Sequence, residues 1–324
     1  SRRMVMNRFH VSATSDRLWN LDPLLDFLID NQHKSIELIS SPEAICLQNL
    51  GLYRLLDKFV FKQVNIRTWN PLERHNKYNI ISNGNNFWVE KKEIINLDLH
   101  VWNRNKIFFC FFGRPTAARL GLGGYMYSNY PSITHLHFSA TLDDDELIQF
   151  ELDKLLEYRQ ASISEVGNMI NQLPILLGSS DKYTNSNGYD YTDPLTNLYQ
   201  DILIDIVVES HVAGNTFFPT EKTTRPMWLK KPFIIFASRD YMCYLRQMGF
   251  QTWQTPESTF WSEDYDGYEG RERYIRILAL IDELAKKSKT ELEEMYQAMQ
   301  PILDHNYNLL VTQSYNKTIT KITE

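Results

Sequence analysis

The sequence predicts an α/β protein with two Rossmann-like domains that face a cleft. The chain has 324 residues, more than the roughly 100 to 200 residues of a typical single domain. Short apolar runs alternate with helical patterns, which is typical of parallel sheets with helical crossovers. The last segments have the amphipathic pattern of helices that pack back against the domains.

The first domain, which we place at residues 1–105, mixes short strands and helices. An Asp-Pro pair marks one helix start, and a cluster of Asn and Gly marks a turn. The predicted elements are strands at 4–11 and 35–39, helices at 22–31 and 42–59, and the turn Asn83-Gly84-Asn85-Asn86.

The second domain, residues 106–324, begins with a continuous apolar run at 107–112. Such a run is typical of a strand that is covered on both faces of a parallel sheet. A polar segment at 179–193 without apolar periodicity is predicted to be a loop. Further strands are expected at 133–138, 202–208 and 233–237, and helices at 117–127, 143–159, from Thr220, at 239–248, 271–287 and 290–303.

Composition limits the classes of partner. A net charge of −6 argues against broad capture of nucleic acid or of an anionic membrane. Basic residues concentrate in 217–246, which favours a small anionic ligand. Three cysteines in apolar contexts indicate buried thiols in a reducing compartment, and no apolar run approaches the ~18 residues of a membrane span. We therefore expect a cytoplasmic protein without a transmembrane segment.

Two neighbouring motifs are candidates for a ligand site. Glu209 follows the predicted strand 202–208, and ligands of open α/β sheets bind at the carboxyl ends of strands. The alternative is a carboxylate that caps a neighbouring helix. Thr220 can act as a helix N-cap, which puts Glu221 and Lys222 in the first turn, where free N–H groups and the helix dipole favour an anion. The alternative there is an ordinary helix start with a first-turn Glu.

A resemblance connects these motifs. Glu209, Thr220-Glu221-Lys222, Arg225-Pro226 and Lys231-Pro232-Phe233-Ile234-Ile235 resemble the donor-binding half of α-1,3-fucosyltransferase-type enzymes. The continuation through 244–253, 263–266 and Arg271 is similar to uncharacterised bacterial, phage and algal-virus proteins of glycosyltransferase type. The resemblance covers about residues 200–305, and Ser210-His211 replaces an Asn-Ser pair of the fucosyltransferase pattern.

The resemblance implies a glycosyltransferase of the GT-B architecture. Its C-terminal domain would bind a nucleoside-diphosphate sugar, such as a UDP- or GDP-sugar, with Thr220 and Arg225 in the donor site. Glu221 matches the ribose-binding acid of the family and Lys222 its phosphate-binding lysine. The N-terminal domain would bind a glycan or glycoconjugate acceptor, and no cofactor or obligatory metal is implied.

Three further residues are candidates for the transfer reaction. Arg114 follows the first strand of the second domain and Arg119 lies on the next helix, so either guanidinium could hold a leaving diphosphate. The alternative for Arg119 is a solvent-exposed helix residue. Asp16, in the loop after the first strand, is a candidate general base, although it could equally cap a turn.

Two patterns suggest metal ligands but have simpler explanations. Asp143-Asp144-Asp145-Glu146 opens a predicted helix, where acids interact favourably with the dipole. His135 and His137 share one strand face, without a nearby third ligand. No metal site is predicted. Two other functions remain open: a DNA-modifying glucosyltransferase of phage type, which would need a basic cleft surface, and a non-catalytic module that binds a nucleotide sugar.

Overall fold

The computed structural model describes residues 6–14, 17–40, 43–82, 101–141, 145–158, 162–177, 193–254 and 260–312. In these residues the chain forms two four-stranded sheets, both entirely parallel, with helices packed against them. The predicted α/β class is confirmed. Each sheet has its own cluster of buried apolar residues.

The first sheet has the strand order β1-β4-β5-β6. Alternate residues of its strands, such as Ile36, Leu38 and Ile66, are buried in one core with Leu24 and Leu28 of the first helix. This part contains β1 (Asn7–Val11), β2 (Ala13–Thr14), β3 (Arg17–Leu18), α1 (Leu21–Asp30), β4 (Ser35–Ser40), α2 (Leu52–Leu56), β5 (Gln63–Thr68) and β6 (Asn79–Ser82).

The predicted helix at 42–59 is wrong over most of its length. Only Leu52–Leu56 is helical, and residues 43–51 form turns and irregular backbone. Gly51 has a φ of 75° directly before α2, a left-handed conformation that a continuous helix does not contain. Strands β5 and β6 were not predicted: β5 has the polar and apolar alternation of a strand, which was overlooked, and β6 has only four residues.

The second sheet has the strand order β10-β9-β7-β8. Its strands are almost wholly buried, as the continuous apolar runs predict. This part contains β7 (Phe108–Phe112), α3 (Ala117–Asn129), β8 (Thr134–Phe138), α4 (Asp145–Tyr158), α5 (Ser162–Ile170), α6 (Asp193–Asp201), β9 (Ile204–Val208), α7 (Glu221–Trp228), β10 (Phe233–Phe236), α8 (Tyr241–Gln247), a 3-10 turn (Asp264–Gly267), α9 (Gly270–Ala285) and α10 (Lys289–Thr312).

The strand order of the second sheet reverses between β7 and β9. From β7 the chain passes to β8 on one side, and it later returns to β9 on the other side. The loops that leave β7 and β9 therefore run to opposite sides, and doubly wound sheets bind ligands in the crevice at such a reversal, outside the carboxyl edge. Arg114 follows β7 and Glu209 follows β9.

The two C-terminal helices belong to the second core. Leu292, Tyr296 and Met299 of α10 are buried in it with Tyr274 and Ile277 of α9. Two helices, α5 and α6, were not predicted.

No helix in the described ranges is long and apolar enough to cross a membrane. Cys46 and Cys110 are buried free thiols, as expected, whereas Cys243 is only partly buried.

Candidate functional site

The two sheets meet along a seam formed by loops that follow strands. The loop after β9 contacts the segment after β4 and the segment after β5. Asn70 Nδ2 donates to the carbonyl of Asn215 at 2.8 Å, and the Thr216 hydroxyl donates to the carbonyl of Ala44. Gly214 lies so close that a Cβ would be 2.7 Å from Cβ of Cys46. The carboxyl edge of one parallel sheet thus adjoins that of the other.

Glu209 lies at this edge, directly after β9, and its side chain points inward. Only 1% of the residue is exposed. Oε1 accepts hydrogen bonds from Thr220 N at 3.0 Å, from Thr223 Oγ1 at 2.5 Å and from Tyr241 OH at 3.3 Å. Oε2 accepts from Thr220 Oγ1 at 2.7 Å and from Ser210 N at 3.2 Å.

These five donors use the acceptor capacity of the Glu209 carboxylate. The group closes the loop between β9 and α7 by joining the residue that leaves the strand to the residue that starts the helix. The position at the strand end agrees with the sequence prediction. The contacts, however, are those of the alternative interpretation, a carboxylate that caps and orients the helix.

The start of α7 is the predicted helix start. Thr220 has extended backbone and its hydroxyl accepts from Lys222 N at 3.3 Å. Lys222 Nζ lies 2.5 Å from Glu221 Oε1 and 3.3 Å from Thr220 Oγ1. Burial raises the pKa of Glu221, but the charge and hydrogen bond of Lys222 outweigh it, so the pKa is lower than usual. The three predicted donor-site residues therefore form one polar cluster.

The two arginines of the β7–α3 region have different surroundings. Arg114 is exposed, and its guanidinium makes no hydrogen bond or ion pair within the described ranges. Arg119 is only 5% exposed and donates to the carbonyls of Arg114 at 2.9 Å and Val208 at 3.1 Å. It is not the solvent-exposed helix residue of the alternative interpretation. It ties the loop after β7 to the end of β9 and so positions Arg114.

Arg225 is turned away from the crevice, into the layer between α7 and the sheet. It is 6% exposed, its Nε donates to Tyr199 OH at 2.5 Å, and its Nη2 lies 3.3 Å from Asp205 Oδ2. The guanidinium carbon also lies 5.1 Å from the ring centre of Phe111. These contacts make Arg225 part of a buried ion pair. Its hydrogen bonds are to Tyr199 and Asp205, and its charge also helps to lower the pKa of Glu221.

A pair that the sequence did not indicate lies across the seam. Glu43 follows β4, and Nε2 of His211 lies 3.0 Å from Glu43 Oε2. His211 is 3% exposed, whereas the Glu43 side chain is 48% exposed. Neither Nδ1 nor Nε2 of His211 has a partner at hydrogen-bond geometry in the described part of the chain, so the contact with Glu43 is one of ion-pair distance.

The charges around Glu43 come from both sides of the crevice. Its contact with His211 is the largest cause that lowers the pKa of Glu43, and the charges of Arg114 and Lys222 add to it. Two exposed or half-buried cations and an exposed carboxylate are therefore close enough to influence one another at the reversal of strand order. The rule that singled out Glu209, an acid after a buried strand, also applies to Glu43. The wrong helix prediction at 42–59 concealed it.

The remaining predicted residues do not join this cluster. Asp16, Asp143, Asp144 and residues 179–192 lie outside the described residues, and Asp145 opens α4. His137 stacks on Phe111 with ring centres 4.5 Å apart, and burial lowers its pKa to about 4. Within the described ranges, no group of three or more His, Cys, Asp or Glu side chains is placed to hold a metal ion.

Comparison of the chain with protein-family models, with curated proteins and with solved structures finds no match.

Proposed function

We propose that the chain is a glycosyltransferase of the GT-B architecture, with domains at residues 1–105 and 106–324. It transfers a sugar from a nucleoside-diphosphate sugar to a hydroxyl of a glycan or glycoconjugate. The observation that carries the proposal is the convergence of Arg114, Lys222 and Glu43 at the crevice where the strand order of the second sheet reverses.

The two cations suit a diphosphate. Arg114 offers a guanidinium without a protein partner in the described ranges, and this group binds phosphate oxygens in a bidentate manner. Lys222 lies in the first turn of a helix, where a cation is unfavourable beside the positive end of the dipole. A bound anion offsets that cost. When phosphate takes Lys222, the Glu221 carboxylate, now 2.5 Å from Lys222 Nζ, is released to accept hydrogen bonds from ribose hydroxyls.

Glu43 is the group best placed to take a proton. The acceptor oxygen forms a bond to the anomeric carbon, the bond from that carbon to the diphosphate oxygen breaks, and its electron pair leaves with the diphosphate. The hydroxyl proton passes to the Glu43 carboxylate, whose side chain is half exposed. Nε2 of His211 lies 3.0 Å from this carboxylate, and Arg114 with Lys222 stabilises the charge on the leaving group.

Calorimetry with a panel of UDP- and GDP-sugars tests donor binding. We expect Arg114→Met and Lys222→Met each to raise the dissociation constant of the donor that binds by about tenfold. This is the effect of losing one charge-assisted hydrogen bond. Arg239→Met is the matched control, because Arg239 is exposed and lies 3.5 Å from Asp240. Equal donor affinity in all three variants would contradict the proposal.

Release of nucleoside diphosphate, measured with the same sugar, tests transfer. Glu43→Gln keeps the shape of the side chain and removes the base, so turnover falls. Donor affinity stays within about twofold, because Glu43 acts in the transfer step and not in donor binding. Donor binding without turnover by the parent chain would instead identify a non-catalytic nucleotide-sugar-binding module.

A further inference from the structure

A cavity opens beside the seam, on the side of the first sheet. Its volume is 520 Å³, and Gln48, Asn49, Tyr53, Arg54, Asp57 and His75 line it. This volume lies within the roughly 300 to 1,000 Å³ of small-molecule sites. Asn49 connects the cavity to the seam, because a Cβ on Gly214 would lie 2.9 Å from Asn49 Cγ.

The wall of the cavity is held in place by the residues behind it. The Tyr53 hydroxyl donates to buried Glu73 at 2.7 Å, and the His75 ring stacks on Tyr53 with ring centres 4.2 Å apart. Nδ1 of His75 accepts from the backbone N–H groups of Lys77 at 3.2 Å and Tyr78 at 3.3 Å. The imidazole proton is therefore on Nε2, which is left as a donor.

Three of the other polar side chains of the lining have no protein partner in the described residues. The side chains of Gln48, Asn49 and Arg54 make no hydrogen bond within the part of the chain that the structure describes. Asp57 Oδ1 accepts from Lys77 Nζ at 2.6 Å and Tyr78 OH at 2.7 Å, which offsets its charge. Two amides, a guanidinium and an imidazole N–H thus line a concave surface with a carboxylate at one side.

This lining selects among ligand classes. In this cavity the guanidinium of Arg54 lies with the carboxylate of Asp57, and a nearby negative charge disfavours a phosphate group. An apolar ligand needs a mainly apolar wall, whereas Tyr53 and His75 contribute rings among four polar side chains. Side-chain amides each offer donors and an acceptor, and vicinal hydroxyls need both. The arrangement fits a neutral, hydroxyl-rich ligand.

We propose that this cavity binds a pyranoside unit through pairs of hydroxyls held by Gln48, Asn49 and Arg54. If the chain transfers sugars, as proposed above, the bound unit is part of the acceptor glycan, since the cavity adjoins the seam at Asn49. The role as an acceptor site rests on that proposed function. Saccharide binding itself does not.

Saccharide binding is tested on the full chain, without nucleotide, by ligand-observed NMR. The probes are the methyl pyranosides of glucose, galactose, mannose and N-acetylglucosamine, together with cellobiose and lactose. At least one probe binds the parent chain, and Arg54→Met weakens its binding by about tenfold, the loss of one charge-assisted hydrogen bond. Asn49→Ala weakens it as well.

Lys58→Met is the matched control. Lys58 is an exposed cation four residues after Arg54 and is not in the cavity wall, so this variant keeps the parent affinity. In transfer assays, Arg54→Met raises KM for the acceptor and leaves KM for the donor unchanged. Melting curves establish that each variant is folded.

The outcomes separate the two proposals. The cavity inference is overturned if no probe binds the parent chain, or if Arg54→Met and Asn49→Ala bind as the parent does. That result leaves donor binding at Arg114 and Lys222 untouched. Conversely, saccharide binding that depends on Arg54, in a chain that binds no nucleotide sugar, retains the cavity site and refutes the proposed transfer.

Discussion

Replacing Glu209 by Gln tests whether this carboxylate acts in the reaction or holds α7 in place. Gln keeps the size of the side chain, but its amide nitrogen must replace one oxygen. If it replaces Oε2, the Ser210 N–H at 3.2 Å loses its acceptor, at a cost of about 1–3 kcal/mol. The three donors on Oε1 lose the negative charge, which costs roughly 0.5–1 kcal/mol each.

The two contributions give a loss of roughly 2.5–6 kcal/mol in the free energy of unfolding. For a chain of this length, that corresponds to a fall in melting temperature of roughly 5–12 °C, at about 2 °C per kcal/mol. The residue is buried, so the folded fraction of the variant keeps its donor affinity. Scanning calorimetry and a donor titration of one preparation measure both quantities.

The matched control is Glu263→Gln. Glu263 is similarly buried, and its carboxylate accepts from Trp253 N at 2.6 Å and Thr252 Oγ1 at 2.9 Å, outside the candidate site. Both variants should melt early and both should bind donor. An unchanged melting temperature for Glu209→Gln, together with lost turnover, would refute the positioning role and return Glu209 to the chemistry.

Three further predictions concern the seam and the buried ion pair. His211 lowers the pKa of Glu43 below its ordinary value of 4.5, so the acid limb of the pH profile of kcat/KM lies below that pH. In His211→Asn this limb moves to higher pH. A limb that does not move contradicts Glu43 as the base. Asp205→Asn leaves Arg225 buried without its carboxylate and destabilises the fold by about 3–5 kcal/mol, whereas donor affinity, measured by calorimetry, stays unchanged; a large loss of affinity would place Arg225 in the donor site. Gly214→Ala puts a Cβ on a residue with a φ of 79°, and this Cβ lies 2.7 Å from Cβ of Cys46. Chemical denaturation should therefore show a loss of about 2 kcal/mol in the free energy of unfolding. The absence of such a loss would mean that the residues around Gly214 shift to accommodate the methyl group.

Features that depend on a few neighbouring residues were predictable. Thr220 caps α7 because an N-cap needs only its own hydroxyl and the next N–H groups, and both are local in sequence. The apolar runs of β7, β9 and β10 predict buried parallel strands for the same reason. The position of Glu209 after β9 also follows from the length of that run.

Features that depend on distant partners were not predictable. Whether Glu209 faces solvent is decided by Tyr241, which α8 brings to it, and whether Arg225 faces a ligand is decided by Asp205, 20 residues earlier. Glu43 is placed by the irregular backbone at 43–51, and that backbone is held by contacts with residues 214–216. The helical periodicity of the sequence at 42–59 predicted a helix instead, because it reports only local propensity, which the long-range contacts outweigh.

The seam has a consequence for how the chain is made. Ala44 and Cys46 are buried and lie against Thr216 and Gly214, and the hydrogen bond from Thr216 to the Ala44 carbonyl spans 172 residues. At about 5–20 residues per second, the ribosome needs roughly 10 to 30 s to supply that partner. During this interval residues 214–216 do not yet cover Ala44 and Cys46. The nascent first half therefore exposes an apolar surface, which chaperones or neighbouring chains can bind until the second half emerges.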